Sequence, residues 1–291
     1  MNSTHDKQPD KGHAPGPSQP SGLGGASLIT KFRLQPTADA RNKRLVSLMT
    51  WVAIAALVLY ILVVGRHSTS YTWDFGVIYT VLPVIGSAIW MTVGLTAISL
   101  MLSLISGVIV ALALLSPSGP LRGVANVFVE VIRNTPLLVQ LVWIFYALPI
   151  LLGIQFSGFT ASIITLTANT TAYMADAFRA GIQSVPKAQV EAAGVLGLKR
   201  AAILRYVILP HTVRNVLPVL AFLSVLLFKN TSLVAWIGVN DIMGISNSLA
   251  LSTFRPLEIL TTAGVIYFVI ALPATMLSRW LERRMAQRGR L

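Results

Sequence analysis

The chain has 291 residues, 54% of them apolar and 11% charged, with a net charge of +13 and no cysteine, and its mean hydropathy is +0.71. That balance excludes a soluble globular domain and describes an integral membrane protein, and the missing cysteines exclude disulfides, thiolate chemistry and cysteine-based metal sites. Nucleic-acid binding, the other usual meaning of a pI near 10.6, needs a basic soluble face that this chain lacks.

Residues 1–45 are rich in Pro, Gly, Ser and charge, as in HAPGPSQPSGLGGAS. They hold too few apolar side chains for a core, which predicts a disordered basic tail. Residues 46–65, VSLMTWVAIAALVLYILVVG, form an uncharged run of about the ~20 residues that a helix needs to cross the hydrocarbon core. The run starts too late, and lacks the small-residue cleavage pattern, for a signal peptide, so it reads as a retained anchor. Between Asp74 and Arg122 no residue is charged, and a helix is expected near 86–115, with Pro83 before it and Pro117 and Pro120 after it. A third span is expected over roughly 122–150, carrying Glu130 and Arg133. A fourth follows near 158–180, beyond a loop around Gly153, Gly158 and Phe159. Residues 215–238 and 258–280 supply the last two, so the fold class is an all-α membrane protein of about six transmembrane helices.

Orientation follows from where lysine and arginine fall, because the cytoplasmic side carries the excess. Lys7, Lys11, Lys31, Arg33, Arg41, Lys43 and Arg44 lie in the tail. Lys187, Lys199, Arg200, Arg205 and Arg214 lie between the fourth and fifth spans, and Arg279, Arg283, Arg284, Arg288 and Arg290 at the C-terminus. Six spans put all three groups on one side, so both termini and the 181–214 loop are expected to be cytoplasmic. The four histidines, His5, His13, His67 and His211, have no metal-ligand spacing. No G-x-x-x-x-G-K-[ST] phosphate loop occurs, and there is no chain of intramembrane carboxylates suited to an ion relay. Any ATP hydrolysis must therefore be done by a partner.

The 181–214 loop is polar and basic between apolar segments. Pro186 suits the first turn of a short helix, Ala192, Ala193 and Gly194 keep its surface thin enough for a partner backbone to approach, and Gly197 is placed to end it. Glu191 offers one carboxylate to an arginine across an interface. Lys199, Arg200 and Arg205 open a second helix that Pro210 must end or kink. Spacing alone fits an ordinary cationic loop equally well.

These residues also carry a resemblance. Glu191, Ala192, Ala193, Gly197, Val207, Leu209 and Pro210 match the pattern E-A-A-x3-G-x9-(I/V)-x-L-P, which resembles the EAA loop of transmembrane subunits of bacterial ATP-binding-cassette (ABC) importers. The stretch from Glu130 and Arg133 through Asn134, Thr135 and Pro136 to Gln140 looks like the polar amino acid uptake group of those permeases. So does the stretch Lys229, Asn230, Thr231, Ser232, Leu233 with Ile237, Gly238 and Val239. Ala188 and Asp176 stand where that group commonly has Gly and Glu.

The resemblance covers about residues 84–283. It implies a five-helix type I permease domain to which 46–65 adds one N-terminal span. It further implies a cytoplasmic (inner) membrane location, a second permease subunit, identical or related, and an extracytoplasmic binding protein that delivers the amino acid. This chain would hold no cofactor of its own, ATP-Mg being hydrolysed by a pair of cytoplasmic ATPase subunits engaged through the Glu191 loop. A permease for another small solute, such as an opine or amino-acid derivative, a self-sufficient secondary carrier and a membrane scaffold are the competing readings.

Within the spans, Glu130 and Arg133 share a helical face, either as a mutual ion pair reinforced by Asn134 or Thr135 or as a gate. Lys229 lies some fifteen residues beyond Arg214, roughly 20 Å along a helix at 1.5 Å per residue. With Asn230 and Thr231, and with Thr135, Gln140, Asn169, Thr171 and Tyr173 elsewhere, it faces either a translocation path or neighbouring helices through hydrogen bonds.

Overall fold

A computed structural model describes residues 72–288 continuously and, before them, helical positions scattered between 49 and 60. The predicted tail 1–45, most of the predicted span 46–65, and His5, His13 and His67 fall outside the described residues. Contacts divide the chain into Met1–Thr72 and Trp73–Leu291; the second unit carries the architecture below. Its helices, in chain order, are α1 (Gly76–Leu114), α2 (Gly119–Asn134), α3 (Leu137–Val142), α4 (Leu148–Leu152), α5 (Gly158–Gln183), α6 (Lys187–Val195), α7 (Arg200–Ile203), α8 (Leu209–Asn230), α9 (Ile242–Thr253) and α10 (Pro256–Arg288).

The helix α1 is apolar all round, so polarity does not mark its inner side; size does. Its buried positions, Val81, Ile85, Ala88, Thr92, Leu95, Ser99, Ser103, Gly107, Ala111 and Leu114, recur every three or four residues. Most are small, which lets another helix come close where hydrocarbon supplies no driving force for association. The other helix is α5. A Cβ added to Gly107 would lie 2.9 Å from Met174 Cβ, and Ser103 Oγ donates to Thr167 O at 3.2 Å. Pro83, expected before the helix, sits inside it. One lost N–H and one crowded carbonyl are tolerated in a helix of 39 residues whose neighbours hold it.

The predicted third span is not one straight helix. Between α2 and α3 the axis turns by 108°. Pro136 lacks an N–H and pushes Thr135 into extended backbone, and both residues have ψ near +135°, so the helix stops and restarts in a new direction. Two further prolines are handled differently. A π-helical turn, Trp143–Ala147, precedes α4 with Pro149 at its start, and another, Leu204–Ile208, precedes α8 with Pro210 at its start. In each, a proline ring would crowd the carbonyl four residues earlier, Phe145 or Tyr206, and the wider turn moves that carbonyl away. Pro210, expected to end or kink the helix, does not end it: Arg200–Ile237 is one apolar helical stretch, distorted before Pro210 by the π-helical turn, its last turns, Thr231–Ile237, tightening to 3-10.

Three small cores are strung along α1. Near its start, Val81, Ile85 and Ala88 pack with Ile242, Ala250, Ile259 and Ala263 of α9 and α10. Midway, Leu95 meets Leu141, Leu166, Leu227 and Val234, and at its end Ala111 and Leu114 meet Ala125, Val129, Ala172 and Ala175. Among the described residues three stretches are long and apolar enough to cross a membrane, Gly76–Leu114, Arg200–Ile237 and Pro256–Arg284, and a fourth if the bent pair counts as one span. The helix α5 falls short of that apolarity because its buried positions are Thr165, Asn169, Thr170 and Thr171 as well as Ala and Leu. The helix α9 was not foreseen: at 12 residues it is too short to register as a span.

Candidate functional site

The loop between α5 and α8 forms as its residues dictate. Pro186 occupies the cap position of α6, where a missing N–H costs nothing. Gly197 ends the helix in the left-handed region, φ +75°, which only glycine adopts freely. The Gly197 N–H then bonds Gly194 O at 3.0 Å and the Leu198 N–H bonds Ala193 O at 3.2 Å, satisfying carbonyls the helix would otherwise leave open. Ala193 is buried beneath the helix, while Glu191, Ala192 and Gly194 are exposed. Among the described residues, no atom outside Gly194's own stretch of α6 lies within 4 Å of where a Cβ on Gly194 would stand, and Glu191 has no ionic partner.

Beside this surface runs a groove of about 570 Å³ lined by Ala192, Ala193, Leu196, Tyr206, Pro210 and Arg214. Leu209 lies next to Pro210 and is 51% exposed, and Val195 and Leu196 are 89% and 79% exposed. The base of the loop is fixed. A Cβ on Gly181 would collide with Val216 Cγ2, Asn215 Nδ2 donates to Ser184 Oγ at 2.8 Å, and Thr212 Oγ1 donates to Gly181 O at 3.4 Å. The ends of α5 and α8 thus hold the loop between them as one piece.

The candidate path residues fall into separate groups. At the corner between α2 and α3, Gln140 Nε2 donates to Ile132 O at 2.7 Å and lies 3.0 and 2.7 Å from Thr135 O and Oγ1. Its Oε1 accepts from Asn169 Nδ2 at 3.3 Å. Thr135, Gln140 and Asn169 therefore form one cluster that closes the break and ties it to α5. Thr171 Oγ1 and Ser106 Oγ share a bond of 2.6 Å between α5 and α1.

The expected ion pair between Glu130 and Arg133 is not formed. Arg133 pairs with Asp176 of α5, whose second oxygen lies 2.8 Å from Arg179 Nη2. Glu130 instead accepts from Asn134 Nδ2 at 2.8 Å. The carboxylate on the facing helix offers Arg133 a partner without folding its long side chain back along α2. The Arg133 guanidinium also stands 5.5 Å over the Tyr173 ring, and Arg133, Tyr173 and Asp176 line a groove of about 490 Å³ that reaches Gly181 and Asn215.

Lys229 lies apart from these, in a groove of about 640 Å³ with Ser232, Tyr267, Phe268, Thr275 and Arg279. Thr231 is buried and donates to Phe228 O at 2.7 Å. Asn230 is half-buried next to it and lines neither groove. Sequence reading did not single out Asp241, Tyr267 or Ser106. Asp241 stands three residues before Gly244, the spacing of a helix cap, and that was the available signal. Among the described residues no three His, Asp or Glu side chains are placed to hold a metal ion.

Residues 103–287 match the family described as binding-protein-dependent transport system inner membrane component. The chain belongs to this family. It is 32% identical over 212 residues to the arginine transport system permease protein ArtQ of Bacillus subtilis (strain 168), covering 73% of this chain and 97% of that protein. To the glutamine transport system permease protein GlnP of Escherichia coli (strain K12) it is 35% identical over 214 residues, covering 73% and 98%. Among solved structures, an amino acid ABC transporter crystallised with histidines is 36% identical, with a TM-score of 0.69 over 74% of this chain and all of that one. The MetNI methionine ABC transporter in an inward-facing conformation, at 17% identity and a TM-score of 0.56, shares the fold. This family member is thus a multi-pass inner membrane transport component.

Proposed function

We propose that this chain is the permease subunit of an ABC importer for a polar amino acid, coupled to a separate ATPase through the 181–214 loop. The carrying observation is α6: an exposed carboxylate, Glu191, without an ionic partner among the described residues, on a helix thinned by Ala192 and Gly194 and bordered by a groove of mixed polar and apolar lining. A helix of this kind, rooted where α5 and α8 touch, transmits movement of a docked partner to two spans at once. The amino acid permeases among its relatives support the substrate class. Both termini and this loop are cytoplasmic in this reading, the described basic side chains Lys187, Lys199, Arg200, Arg205, Arg214, Arg279, Arg283 and Arg284 being exposed on the side that the positive-inside rule assigns. A second permease subunit and an extracytoplasmic binding protein complete the transporter, and the Lys229 groove contributes to the solute path.

The test is uptake of a panel of labelled amino acids in cells lacking this chain, complemented with wild type or with Glu191→Ala. Uptake of one amino acid class restored by wild type and not by Glu191→Ala, at equal membrane abundance, is the expected result. Restoration by both would remove the coupling role of Glu191; restoration by neither, for every amino acid tried, would remove the substrate class.

A further inference from the structure

Among the described residues, Asp241 and Glu258 are the carboxylates buried almost completely, at 0% and 1% exposure. A carboxylate taken out of water has to find donors. Glu258 accepts the main-chain N–H of Asp74 at 3.0 Å, which ties the start of α1 to α10. Asp241 does two things. Its Oδ1 accepts the Gly244 N–H at 2.8 Å and caps α9. Its Oδ2 accepts the Tyr267 hydroxyl at 2.8 Å, a bond that the cap does not require.

That second bond fixes a side chain that matters elsewhere. Tyr267 lines the groove holding Lys229 and Ser232, and its ring packs 5.5 Å, centroid to centroid, from Phe228, the residue before Lys229. Asp241 itself has nowhere to go. A Cβ on Gly244 would collide with Val239 O, so the turn is closed against its neighbour, and the Ile242 N–H donates at 3.1 Å to Thr92 Oγ1 of α1. The carboxylate is a fixed point, and the tyrosine is held from it by its hydroxyl.

We propose that Asp241 is a positioning residue for substrate recognition: through Tyr267 it sets the aromatic wall beside Lys229, so that a polar amino acid meets a cation and a ring in a fixed arrangement. The inference rests on reading that groove as part of the path. Three variants separate the possibilities in uptake assays with labelled glutamine, arginine, histidine and glutamate, membrane abundance being measured in parallel. Tyr267→Phe removes one oxygen. Asp241→Ser keeps a capping oxygen for α9 but is too short to serve the tyrosine as well. Each is expected to raise the apparent KM about fivefold with Vmax within about twofold, the pair together doing no more than either alone, as one shared hydrogen bond requires. Lys229→Met is expected to raise KM too.

Unchanged KM in Tyr267→Phe, additive effects in the pair, or a loss confined to membrane abundance would each overturn the positioning role. If Lys229→Met raises KM while Tyr267→Phe does not, the positioning role alone fails. If neither changes it, the groove is not on the path.

Discussion

The helices α1 and α5 pack against each other over the second half of α1, from Leu95 to Leu114, yet their sequences read as different materials. The first has no charge between Asp74 and Arg122 and exposes Tyr79, Trp90, Met101, Ile105 and Ile109 on its outer side. The second carries Thr165, Asn169, Thr170 and Thr171 at buried positions and falls short of the apolarity of a lone membrane crossing. Mean hydropathy therefore measures how much of a helix faces away from the protein. A helix wrapped by its neighbours can be built from hydroxyls and amides, most of which find a bond, as Thr165, Asn169 and Thr171 do, while Thr167 Oγ1 is buried without one.

Three substitutions press on that contrast. Met101→Lys puts a charge on the outer side of α1 nearer its middle, and insertion scales set the cost at a helix centre at about 2.5–3.5 kcal/mol; a fall in membrane-integrated protein is expected, read by carbonate extraction, and normal integration would mean this side does not meet hydrocarbon. Gly107→Leu forces side-chain atoms into the space held by Met174, where a Cβ alone would already stand 2.9 Å from Met174 Cβ. Overpacking of that kind costs about 1–3 kcal/mol, so detergent-solubilised protein should aggregate at a lower temperature; an unchanged midpoint would show that the helices can separate freely there. Thr171→Val removes one half of the bond to Ser106 and is expected to cost only about 0.6 kcal/mol, with Ser106→Ala adding little on top. A larger loss on combining them would mean that each hydroxyl has its own role.

How much the sequence disclosed depends on how far apart the partners lie. The helix α6, its thin surface and its stop at Gly197 were readable because every cause sits within a dozen residues. The partner of Arg133 was not, since Glu130 is three positions away along the chain and Asp176 is 43; proximity in sequence favoured the wrong carboxylate. Pro136 announced a disturbance, but a turn of 108° depends on Gln140 reaching back to carbonyls of Ile132 and Thr135, which a proline rule does not include. Pro149 and Pro210 show the reverse case, where a π-helical turn absorbs what the same rule would have made a stop. Asp241 was not singled out, because the tyrosine that gives it a second role lies 26 positions on.

The Gln140 amide has one further consequence. It joins the carbonyl ends of α2, the first turn of α3 and, through Asn169, the middle of α5. Unbending the elbow would strand those carbonyls in an oily surrounding that has no spare donors to lend. The elbow is a rivet rather than a joint. Moving any one of α2, α3 and α5 without the others would have to break these bonds.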